Sequence, residues 1–324
     1  MYGFFQDLTN AVLPVFVIAT MFNVGLTQNP SAITANLRNW HFLVRMLFAN
    51  FIIVPSLMFA LVNLVGDYEP AQAAGLMIMS VCAGAPFLIK LTQTSENDIA
   101  LGATVMMVLM VATVIIAPVM LPFVIEGLEV DAWGIAQSLF LQMLLPIIVG
   151  MILAQVVHSF ATTIQPWVAR IGNLALYVVL GATIIGYWPE IQDLIGTGAI
   201  AGGLLVLLLA FFVGYLFGDG KDHLQDVGGL GTAQRNTAAT MIIASDNFTD
   251  PTVFVIVSVV NTLGIIMLMG IARLLSRDAG TKGEQESDRG DNRIFVDQRY
   301  MQSERARRPR ITGEGSPVSP SPRA

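Results

Sequence analysis

Long apolar runs separated by short polar turns set the pattern of this chain. Read with a window near twenty residues, they cover about 8–27, 42–65, 71–93, 99–125, 133–157, 167–187, 194–217, 225–245 and 252–274. As a helix, each is long enough to cross a hydrocarbon layer of about 30 Å. The pattern predicts an all-α polytopic membrane protein with nine spanning helices. Two of the nine are interrupted. The third carries Gly84 and Pro86 ahead of Lys90, and the eighth carries Gly228, Gly229 and Gly231 ahead of Gln234, Arg235 and Asn236. If the spans alternate sides, these two run through the bilayer in opposite directions, and a long apolar span follows each. Matched broken helices of opposed polarity are expected of an inverted-repeat secondary transporter whose site lies where the breaks approach one another. Broken backbone at that depth needs polar or watery surroundings.

Composition agrees with the pattern. Hydrophobic residues make up 54% of the 324-residue chain and charged residues 12%, with a mean hydropathy of +0.67, which argues against a water-soluble domain. Charge then orients the helices. Under alternation, one side receives the N-terminus and the acidic loops around Asp67 and Glu69, Glu126 to Asp131, Glu190 to Asp193 and Asp246 to Asp250, with no Lys or Arg among them. The other side receives Arg38, Arg45, Arg170, Lys221 and every cation from Arg273 onward. Positive loops mark the cytoplasmic side, so the N-terminus is expected outside and the C-terminus in the cytoplasm, in an integral protein of the cell membrane. The lone Cys82 can form no intrachain disulfide, and the first span has no cleavage signature, so it is expected to be retained. From Ser276 the composition turns to Gly, Ser, Pro and charge. The division expected is therefore a transmembrane domain over 1–275 and a disordered cytoplasmic tail over 276–324. Arg305 to Arg310 of that tail suit either plain solvation or contact with anionic lipid headgroups.

Lys90 and Arg235 are the two cations that this alternation assigns to neither face, and each stands beside a break. An ionisable group in hydrocarbon costs a few kcal/mol on insertion scales, so such residues belong to a buried polar site unless they snorkel. Snorkelling stays open for Lys90, which lies near the cytoplasmic end of its span. With the backbone openings at Gly84, Pro86 and Gly231, and the amides of Asn236 and Asn261, the two cations form the candidate substrate site. The amides are equally suited to tying helices together. An Arg fork grips a carboxylate or sulfonate by two hydrogen bonds, while Lys supplies a compact charge. Enzyme chemistry has no support: the chain holds no HExxH pair, no GxSxG elbow and no acid pair at membrane depth. Nothing points to nucleic acid or to a cofactor.

The residues also carry a resemblance. MFNVGLTQNPSA near the start, ANFIIVPSLMFAL in the second span, ENDIALGATVMM opening the fourth, and GTAQRN with the NFTDP turn after it are similar to the bile acid:sodium symporter family, over nearly all of residues 10–275. The resemblance implies a panel domain and a core domain with two crossing broken helices, here in a nine-helix form. It implies a carrier of organic anions such as bile acids, keto acids or pantoate-like carboxylates, working by rocking of panel against core. It also implies sodium as the coupling ion, bound by side-chain oxygens at both breaks and by an amide of the second span. Two of those ligands are recognisable, Asn50 and Gln234. Where the rest belong stand Leu88, Ile89, Gly102, Met106, and Leu230 or Gly231, which offer sodium no side-chain oxygen. Two couplings stay open: Lys90 and Arg235 as tethered cations in place of sodium, or a sodium symporter with a rearranged site. A membrane sensor or binding protein is the reading from another class.

Overall fold

A computed structural model describes residues 2–28, 30–125 and 131–276, and all of its regular structure is helical. In chain order the helices are α1 Tyr2–Thr27, α2 Pro30–Asn36, α3 Trp40–Val65, α4 Pro70–Val81, α5 Phe87–Thr94, α6 Ile99–Val124, α7 Ala132–Val156, α8 His158–Gly186, α9 Trp188–Leu194, α10 Ala199–Leu216, α11 Asp222–Ala233, α12 Thr237–Asn247 and α13 Pro251–Ser276. Seven of them (α1, α3, α6, α7, α8, α10 and α13) are long and apolar enough to cross a bilayer. The third and eighth predicted segments are each two short helices, α4 with α5 and α11 with α12, parted by non-helical residues 82–86 and 234–236. The breaks therefore fall where the glycines, proline and polar run placed them. The predicted tail lies, beyond Ser276, outside the described residues.

Some boundaries differ from the sequence reading. Helix α8 starts at His158 rather than near 167, and in its added turns Thr162 and Thr163 return their hydroxyls to the Ser159 carbonyl. Residues 188–194, expected as an acidic loop, form α9, with a proline in its first turn where no amide is needed. Helix α10 starts at Ala199, five residues late, since Gly196 and Gly198 take positive φ and make the preceding turn.

Prolines shape two of the long helices. A π turn at Ala49–Ile53 precedes Pro55 in α3, and another at Phe140–Leu144 precedes Pro146 in α7. A proline removes one helical amide and crowds the carbonyl four residues back, and a wider turn absorbs both. Each π turn re-aims a side chain toward the second break, Asn50 from α3 and Met143 from α7.

Small residues let helices meet closely. A β-carbon added at Gly25 of α1 would stand 2.2 Å from the Ile147 carbonyl of α7, and one at Gly214 of α10 would stand 2.1 Å from the Gly228 carbonyl of α11. Between apolar helices in lipid, such backbone contact supplies the packing energy that water supplies elsewhere. Helices α1, α7 and α8 pack on one another, while α10 runs along α11 and both α4 and α5 lie against α6.

Candidate functional site

Arg235 is the largest fully buried side chain among the described residues, 1% exposed, and it sits in the break between α11 and α12. Its guanidinium is surrounded by neutral oxygens. Nη1 donates to the Ser80 carbonyl at 3.1 Å, and Nη2 donates to Asn50 Oδ1 at 2.5 Å and to the Thr232 carbonyl. Ser80 lies in the last turn of α4 and Thr232 in the last turn of α11. The positive charge thus rests against the C-terminal, electronegative ends of two half-helices, whose last carbonyls have no amide partner within the helix. Asn50 is held in turn, its Nδ2 donating to the Met46 carbonyl at 2.9 Å and to Thr232 Oγ1 at 3.3 Å. Arg235 has no ion-pair partner among the described residues, and its Nε is buried without a hydrogen-bond partner, as is Oε1 of Gln234.

Asn236 joins the two breaks. Its amide N–H donates to the Cys82 carbonyl at 2.9 Å, and its Nδ2 to the Gly84 carbonyl at 2.9 Å. Its Oδ1 accepts from Ala239 N at 3.1 Å and caps α12. Gly84 takes φ +75, and a β-carbon there would lie 2.2 Å from the Met110 amide of α6, so the first break can lie directly on that helix's backbone. Between them, Ala83 is held by Thr113, whose Oγ1 accepts from Ala83 N at 2.9 Å and donates to Ala83 O at 3.0 Å. Backbone freed from helical bonding at membrane depth finds its partners in the other break and in α6, as burial requires.

Two helix breaks bound to each other beside a buried cation suit a transporter, and comparison with known proteins agrees. The model of the sodium bile acid symporter family matches residues 14–191, more than half of the chain. The chain belongs to the sodium bile acid symporter family. Among its relatives is the probable sodium/metabolite cotransporter BASS2, chloroplastic, of Oryza sativa subsp. japonica, 29% identical over 243 residues, which cover 72% of this chain and 57% of that protein. Another is the probable sodium/metabolite cotransporter BASS5, chloroplastic, of Arabidopsis thaliana, 24% identical over 271 residues, 78% of this chain and 64% of that one. The chain thus spans about three fifths of the length of these relatives. The family match ends before α10, short of the second break. The family's members are transporters and not enzymes, and this chain is an integral membrane protein.

Within the symporter fold, the candidate residues separate. Arg235, Asn50, Gln234, Asn236 and Gly84 gather where the two breaks meet. The expected meeting of the two cations does not occur: Lys90 is exposed on α5, with Nζ 3.4 Å from Gln93 Oε1. Helical phase explains this, because Leu88, Leu91 and Thr92 occupy the buried face of α5 and Lys90 projects from the opposite one. Asn261 is buried on α13 and ties to Thr240 Oγ1 of α12 at 3.0 Å, outside the Arg235 network. Gly231 packs within α11 against Val105 and Leu88, and Pro86 is half-buried at the start of α5. Leu88, Met106 and Leu230 are buried apolar side chains, and Asn50 Oδ1 is already engaged by the arginine. Of the positions at which the resemblance places sodium ligands, Gln234 keeps a buried side-chain oxygen without a hydrogen-bond partner. Sequence reading missed Thr113, Thr232 and the Ser80 carbonyl. Carbonyls carry no sequence signal, but Thr113 is one of two hydroxyls, with Thr104, in the apolar run of α6.

Proposed function

We propose that this protein is a secondary carrier of organic anions in which the Arg235 guanidinium serves as a tethered cation in place of bound sodium. The observation that carries the reading is the hydrogen bond from Nη2 to Asn50 Oδ1, the amide at which the family resemblance places a sodium ligand, together with the Thr232 and Ser80 carbonyls. A hard cation asks for neutral and anionic oxygens, and here three neutral oxygens hold a charge the chain carries itself. With no carboxylate in an ion pair with it among the described residues, that charge attracts an anion. The N-termini of α5 and α12, both at the breaks, add positive dipole ends.

The reading includes nine crossings, with the two broken pairs each spanning once. The N-terminus lies outside and the C-terminus in the cytoplasm of the cell membrane, as the segregation of charge supports. The layer of α1, α7 and α8 is the panel, rocking against the remaining helices around the crossover. Sodium coupling through a rearranged site is the second reading, and the buried, unpartnered Gln234 Oε1 favours it. A sensor binds an anion without moving it, so flux separates that class.

The test is uptake of labelled taurocholate, pyruvate and pantoate into sealed proteoliposomes with sodium, with potassium, and with a proton gradient. Uptake that persists in potassium and collapses in Arg235→Ala is the expected result. Strict sodium dependence of the unaltered protein refutes the tethered cation and leaves the carrier. Binding without flux of any probe refutes the carrier.

A further inference from the structure

We infer that Thr113 of α6 is a positioning residue that fixes the shape of the first break and, through it, the carbonyl that holds Arg235. The inference deepens the crossover reading above and rests on it. Ala83 is non-helical and buried, so its N–H and C=O both need partners away from water. One hydroxyl serves both, at 2.9 and 3.0 Å. The residues on either side are bound differently, since the Cys82 and Gly84 carbonyls accept from Asn236 of the second break. The first break is therefore held between two anchors, α6 through Thr113 and the second break through Asn236. Ser80, whose carbonyl accepts from Arg235, lies three residues ahead of Ala83 in the same short segment.

The chemistry of this clamp is specific to a hydroxyl. Valine has the shape of threonine but neither donor nor acceptor, and it strands two buried backbone groups at once. Serine retains both functions. Thr104, also buried on α6, is a matched control, because its hydroxyl only returns to the Ala100 carbonyl within its own helix.

Cys82, the chain's single cysteine, is buried in the break and reports on it directly. Purified full-length protein is reconstituted and labelled with a membrane-permeant maleimide, and amide exchange is followed over residues 82–86. Thr113→Val is expected to label at least about tenfold faster than the unaltered protein and to lose protection at Ala83. Thr113→Ser and Thr104→Val are expected to keep the original rate. Equal labelling of Thr113→Val and the unaltered protein, failure of serine to restore the rate, or equal acceleration by Thr104→Val overturns the inference. If the valine variant does not fold, protection of the Ala83 amide in the unaltered and serine proteins decides, and an unprotected amide there overturns the clamp. Neither readout depends on cargo, so absent uptake refutes the proposed function while unchanged labelling refutes the clamp alone.

Discussion

Replacing Asn50 with Asp changes one charge and almost no shape at the centre of the proposed site. Asn50 Oδ1 accepts from the Arg235 guanidinium at 2.5 Å, so an aspartate there forms a close ion pair with it and cancels its field. An anion centred about 6 Å from the guanidinium gains about 3 kcal/mol at an effective dielectric near 20, roughly a hundredfold in affinity. Neutralising the arginine removes most of that gain. The fold pays little, because the new pair offsets the loss of the Nδ2 bonds to the Met46 carbonyl and Thr232 Oγ1, about 1 kcal/mol each. Sodium-free proteoliposome uptake should show a KM raised about a hundredfold for every anion carried, with thermal stability in detergent moved by only a few degrees. Asn50→Ala, which keeps the positive charge, should lose much less affinity. A well-folded Asn50→Asp carrier with unchanged KM would show that Arg235 does not attract the cargo, and the tethered-cation reasoning would fail.

Four further outcomes follow from the same geometry. Arg235→Ala should abolish sodium-free uptake, and millimolar guanidinium in the buffer should restore part of it by refilling the space between Asn50 Oδ1 and the Ser80 carbonyl. Lys90→Ala should transport within about twofold of the original protein, since Lys90 is exposed and its described polar contact is Gln93. Gly84→Ala should cost about 1–2 kcal/mol for the left-handed backbone alone. The 2.2 Å approach to the Met110 amide adds to that, so melting temperature and folded yield should both fall. If a monovalent anion crosses alone, its uptake should rise when a potassium diffusion potential makes the vesicle interior positive, as read in valinomycin-treated proteoliposomes, whereas exchange or proton co-transport should leave it unchanged.

How far the sequence speaks depends on whether a property is local. The breaks are local: Gly84 takes positive φ, Pro86 stands at the N-cap of α5, and GTAQRN puts polar residues into an apolar run, so both interruptions were legible. Burial of Arg235 was legible as well, because its depth within the span leaves no short path to the headgroups. The phase of α5 was not. Lys90 sits near the end of a short helix, and only the burial of Leu88, Leu91 and Thr92 shows which way it points. The partners of Arg235 were also hidden, since two are backbone carbonyls and the third, Asn50, is aimed by a π turn that the helical period does not anticipate. Pro55, six residues after the start of that turn, is the one sequence mark it leaves.

A tethered cation has an energetic consequence that a bound one does not. A sodium ion crosses with the cargo and brings the free energy of its gradient with it. A guanidinium stays with the protein, lending attraction without any net ion movement. Moving one elementary charge through 100 mV is worth about 2.3 kcal/mol, so an inside-negative membrane opposes entry of a lone monovalent anion by a factor near fifty and favours its exit by the same factor. A carrier built on Arg235 therefore moves such an anion outward down the potential, or exchanges it for another anion, or carries a proton with it. Across an inside-negative membrane, concentrative uptake without sodium then requires a proton gradient or the gradient of an exchanged anion. On the proposed reading Arg235 bears on direction as well as affinity, because a side chain that replaced sodium would also remove the drive that sodium provides.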